Sequence, residues 1–122
     1  MTLKECYAAL GGDYDDVSGR LRSERLVRKF VLKYLDDPSY GDLCDAMAGG
    51  DSEAAFRAAH TIKGVCQNMA FTALLSSSSR LSDALRHGYT PEADGLFEEL
   101  RGDHERVISA IEAYSRSSGG EV

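Results

Sequence analysis

The residues best placed to do chemistry lie together in His60-Thr61-Ile62-Lys63-Gly64. Set on a helical wheel at about 100° per residue, Ala55, Ala58, Ala59, Ile62, Val65, Cys66 and Met69 share one face, and Phe56, His60, Lys63, Gly64 and Gln67 the other. A helix of this pattern buries its apolar stripe and leaves the imidazole in water, within reach of another macromolecule. A solitary helical histidine is ordinarily a solvated or a packed residue, so its neighbours must decide its role. Neutral imidazole is a nucleophile near physiological pH because its ordinary pKa is about 6.5. A phosphoryl group on the ring would add roughly two negative charges, and Lys63, one turn on, is placed to offset them. Gly64 costs a helix interior about 1 kcal/mol relative to alanine. It either gives a phosphoryl donor access to the ring or relieves crowding between helices.

In these residues the chain resembles the histidine-containing phosphotransfer family, whose mark is His-x-Leu/Ile-Lys-Gly on a helix of a four-helix bundle. The resemblance runs through Ala58-Ala59-His60-Thr61-Ile62-Lys63-Gly64-Val65, Asn68 and Thr72, and upstream through Phe30 to Leu35 and Asp36-Asp37-Pro38. It implies that His60 accepts a phosphoryl group from the aspartyl phosphate of one response-regulator receiver domain and passes it to another, as in a multistep phosphorelay. Lys63 then neutralises phosphate charge and Gly64 gives access, while the partner supplies the aspartate, Mg²⁺ and backbone donors. A hybrid histidine kinase is a further partner of this kind. Which ring nitrogen reacts is left open.

Two positions depart from the family pattern. Ala70 stands where glycine is frequent, so the turn there is expected to differ in detail. Twenty-two residues after the histidine, where many members carry an orienting Gln or Glu, this chain has Ser82. The ring is then held loosely, through water, or by Ser78 or Ser79. The docking surface is expected around Phe56, His60, Gly64 and Gln67, with Phe56 as an interface anchor or as packing between helices. The competing reading is a helical adaptor that binds receivers without exchanging phosphate.

With 122 residues, 43% apolar and 28% charged, the chain has the size and composition of one soluble domain, expected over residues 1–117 with a flexible tail over 118–122. A net charge of −6 disfavours nucleic-acid binding; the stretch Arg20, Arg22, Arg25, Arg28 and Lys29 is interspersed with Leu21, Leu26 and Val27 and reads as a solvated helix face. No apolar run approaches the roughly 20 residues of a membrane span, and the N-terminus lacks the pattern of a signal peptide. A cytoplasmic monomer is expected. Cys6, Cys44 and Cys66 form no Cys-x-x-Cys pair, which argues against a disulfide framework or a zinc site. Cys44 and Cys66 fall on apolar faces and read as buried thiols.

The punctuation predicts helices throughout. One runs through Leu3, Cys6, Tyr7 and Leu10 to a stop at Gly11-Gly12, and a second covers Asp13 to Leu21. Ser23 caps a third that repeats Leu26, Val27, Phe30, Val31, Tyr34 and Leu35. Asp37-Pro38 reads as N-cap and first residue of a fourth, with Tyr40, Leu43, Cys44 and Met47 inward and Gly49-Gly50 at its end. Asp51 caps the His60 helix, which runs to about Asn68. Phe71, Leu74, Leu75, Ser78, Leu81, Ser82 and Leu85 keep helical spacing straight through the four serines Ser76 to Ser79, and Gly88 ends that helix. Thr90-Pro91 starts the last, striped by Leu96, Phe97, Leu100, His104, Val107, Ile108, Ile111 and Tyr114. The class is therefore all-α: an antiparallel four-helix bundle with additional short N-terminal helices.

The remaining histidines read as structural. His87 sits at a helix C-terminus, where the dipole favours its charged form, and His104 continues an apolar stripe. With three dispersed histidines and no Glu-x-x-His, a di-metal centre is improbable, and no metal or cofactor of its own is expected. Without a Gly-x-x-x-x-Gly-Lys loop the chain has no ATP site of that kind and is not an autokinase.

Overall fold

A computed structural model describes residues 1–118; residues 119–122, most of the expected tail, lie outside the described residues, while the backbone of Ser118 continues the last helix. Seven α-helices follow in order: α1 Leu3–Leu10, α2 Tyr14–Leu21, α3 Glu24–Lys33, α4 Ser39–Ala48, α5 Ser52–Met69, α6 Thr72–Leu85 and α7 Glu92–Ser118, with a 3₁₀ turn at Tyr34–Asp36 after α3. No strand occurs among the described residues.

Short connections and amphipathic faces dictate the packing. α4 lies on α5, α5 on α6 and α6 on α7, each neighbour following its predecessor through a short turn, so the four run antiparallel. α1 packs on α7, and α3 touches both α5 and α7. The core is closed by Tyr7, Leu10, Val27, Leu43, Ile62, Phe71, Leu74, Leu81, Leu100 and Ile111, all at most 1% exposed. The serine-rich stretch is helical, as its periodicity predicts, because Ser77 and Ser78 turn their hydroxyls onto the carbonyls of their own helix and can then be buried.

Several boundaries differ from the sequence expectation. Pro38 precedes α4 instead of opening it: the Asp37 carboxylate accepts the Ser39 N–H at 2.8 Å, and the Pro38 carbonyl accepts from Asp42. Thr90 starts α7 with its carbonyl, which accepts from Ala93, and makes no side-chain cap. On α3 the stripe is narrower than predicted. Val27, Val31 and Tyr34 are buried, but Phe30, within α3, and Leu35, in the 3₁₀ turn that follows, are 37% and 36% exposed. Cys66 is buried as expected, and burial pushes its thiol well above the usual range; Cys44 is only partly buried.

Two tight turns meet at the base of α5. Ala70 takes the left-handed conformation (φ 56°, ψ 42°), which costs a non-glycine residue roughly 1 kcal/mol. Its surroundings hold it there: the Ala70 carbonyl accepts from Asp13, and the Tyr7 hydroxyl donates to the Met69 carbonyl at 2.8 Å. Gly12 permits this approach, since a Cβ there would stand 2.7 Å from the Ala70 carbonyl oxygen.

Candidate functional site

α5 is the element that presents the site. The Asp51 carboxylate accepts the Ala54 N–H at 3.0 Å and so satisfies one of the free donors of the first turn. Ala55, Ala58, Ala59, Ile62, Cys66 and Met69 then face the core. His60 and Gln67 are exposed, and Phe56, Lys63 and Gly64 are partly buried beside them. The division into two faces is the one the sequence predicts, with Val65 at its edge, partly exposed rather than buried.

The imidazole of His60 makes no hydrogen bond to any described residue. Its one ring contact is Phe56, one turn earlier, with centroids 5.9 Å apart and planes 19° from parallel. Lys63 has no carboxylate partner among the described residues, so its charge is not already spent on an ion pair. At Gly64 an added Cβ would meet nothing within 4 Å. The position therefore opens outward, and relief of crowding between helices does not explain it.

None of Ser78, Ser79 and Ser82 hydrogen-bonds the His60 ring directly among the described residues. Ser78 donates to the Leu75 carbonyl at 3.2 Å, and Ser79 makes no hydrogen bond. Ser82 is fully buried, and its Oγ has no hydrogen-bond partner among the described residues. Its level is nevertheless the expected one. Phe56 on α5 meets Arg86, just past α6, with the guanidinium carbon 5.6 Å from the ring centroid. One turn along each of these antiparallel helices sets His60 and Ser82 side by side in height. Ser82 then points into the core while His60 points out, and serine is too short to bridge that difference.

Arg86 carries no local sequence signal of a role at this site. The antiparallel register about the turn at Ala70-Phe71 is the signal that pairs its position with Phe56. Arg86 also pairs with Asp83 at 3.2 Å.

Away from this face, His104 of α7 is stacked on Tyr40, centroids 3.7 Å apart, with the Tyr34 hydroxyl 3.1 Å from Nδ1. Burial depresses its pKa to about 4, partly opposed by the nearby Asp37 carboxylate. It is a packed aromatic, as its place in the stripe suggests. A cavity of about 550 Å³ lies between α3 and the end of α5, with Leu21, Phe30, Tyr34, Val65 and Met69 among its walls, so the exposed ring of Phe30 borders an open groove. Among the described residues no group of three His, Cys, Asp or Glu side chains could hold a metal ion, and no helix is long and apolar enough to cross a membrane.

The family model of the Hpt domain matches residues 38–110, a span that takes in α4, α5, α6 and most of α7 and so includes His60 with the helices on either side. No curated protein and no solved structure matches the chain.

Proposed function

Given that the chain belongs to the Hpt domain family, whose members carry out histidine phosphotransfer in phosphorelay signalling and interact with receiver domains of response regulators, we propose that His60 is its phosphoacceptor. A ring nitrogen attacks the phosphorus of a receiver's aspartyl phosphate. The N–P bond forms as the P–O bond to the carboxylate breaks, and the electron pair leaves with the aspartate. The reverse sequence loads a second receiver. Phosphoryl transfer depends mainly on positioning and charge stabilisation; Lys63 contributes the positive charge on this side and Gly64 the space. The partner contributes its aspartate, Mg²⁺ and backbone donors.

One observation carries the reading: an exposed imidazole stands beside an unpaired lysine and an open glycine on one helix face. The test is His60→Gln. The fold should persist, because exposed substitutions usually shift stability by within about 0.5 kcal/mol. Acceptance of acid-labile, base-stable phosphate from a radiolabelled receiver should be abolished. If the variant accepts such phosphate at the wild-type rate, another residue is the site. If the wild-type protein binds the receiver yet accepts nothing, the chain is an adaptor.

A further inference from the structure

Attack by imidazole uses a lone pair that lies in the plane of the ring, so whatever sets that plane sets the line of attack. A hydrogen bond to one ring nitrogen would do this, but His60 has none among the described residues, and the Ser82 hydroxyl is buried in the core. The ring plane is instead shared with Phe56, nearly parallel at 19° and 5.9 Å, the spacing of an offset stack. Phe56 is not free to drift. It is partly buried, and Arg86 from the end of α6 lies over it at 5.6 Å.

We propose that Phe56 is the positioning residue of this site: its ring, steadied by Arg86, holds the plane of the His60 imidazole. The proposal rests on the phosphotransfer reading for its consequence but not for its geometry. A stack differs from a hydrogen bond in one respect that can be observed. It fixes the plane without engaging either nitrogen, so both remain open to solvent and neither tautomer is selected.

The experiment compares Phe56→Leu, which keeps an apolar side chain but loses the plane, with Phe56→Tyr, which keeps the ring. The ring carbon-bound protons of His60 are followed by NMR. Transfer is measured by rapid quench from a receiver domain charged with acetyl phosphate, over a range of receiver concentrations. Phe56→Leu should move the His60 ring signals towards those of a free histidine and slow saturated transfer at least about tenfold, with the half-saturating concentration unchanged within about twofold. Phe56→Tyr should keep both, and Arg86→Gln should shift both in the direction of Phe56→Leu by a smaller amount. Unchanged His60 signals in Phe56→Leu overturn the proposal. So does a loss seen only in the half-saturating concentration, which would make Phe56 a docking residue. Should the wild-type protein accept no phosphate, the phosphotransfer reading fails and the ring signals alone decide whether the stack exists.

Discussion

At Gly64 the needs of the helix and of the proposed reaction pull in opposite directions. Glycine is a poor helix residue, and no neighbouring atom lies within 4 Å of where its Cβ would be. Gly64→Gln should therefore leave thermal stability equal or raise it by several tenths of a kcal/mol, because propensity improves and nothing clashes. The new side chain would project one turn beyond His60, into the approach of the incoming aspartyl phosphate. Transfer should slow at least about tenfold, equivalent to ~1.4 kcal/mol of barrier. Calorimetry and a rapid-quench transfer assay on one preparation check both halves. Normal transfer by the folded variant would remove the access role of the glycine.

α5 works as a rigid carrier. Its N-terminus is set by Asp51 and its C-terminus by the left-handed Ala70, which the Asp13 N–H and the Tyr7 hydroxyl brace through the neighbouring carbonyls. Between them one face is sealed on α4 and α6, which is why the opposite face can present His60 without moving. Capping by aspartate is worth about 1 kcal/mol, so Asp51→Ala should lower the melting temperature by roughly 4 °C. His60 is more than two turns from that cap, and the transfer rate should stay within about twofold of wild type. A large loss of transfer without loss of stability would mean that the first turn of α5 takes part in docking.

At the scale of the whole molecule, α4 and α7 meet in a stack built on a partly buried histidine. His104 is stacked on Tyr40 and faces the Tyr34 hydroxyl, and its pKa is lowered to about 4 by burial. The unfolded chain takes up a proton near pH 6.5, the folded chain only near 4. Between these values the unfolded state binds more protons, so stability rises with pH there. The contribution is fully present above about pH 6.5 and is lost as pH falls through about 4. His104→Phe removes this linkage while keeping a ring against Tyr40. Urea unfolding from pH 4 to 7 should show a shallower pH dependence in the variant, by up to about 1.4 kcal/mol per pH unit. Equal slopes would mean that His104 takes up its proton at the same pH in the folded and unfolded states.

Much of this protein is determined locally and is legible in its residues. The apolar repeats of α5 and α7, the caps at Asp51 and Ser23 and the stop at Gly11 act over one or two turns, so the all-α class and the faces of the His60 helix follow from spacing alone. The serine run is helical for the same reason. Other features depend on what packs against what. Phe30 and Leu35 repeat like core residues, yet both are left exposed, Phe30 at the edge of the groove between α3 and the end of α5, because periodicity does not say how wide a strip of a helix its neighbours cover. Ser82 lies at the height of the orienting residue, but the rotation of α6 about its own axis turns its hydroxyl into the core. That rotation is set by the whole bundle. The pairing of Phe56 with His60 is local, one turn apart on α5, but the Arg86 guanidinium over Phe56 comes from beyond the end of α6, and only the tertiary packing determines that contact, since periodicity assigns a side chain to a face but not to a partner on another element.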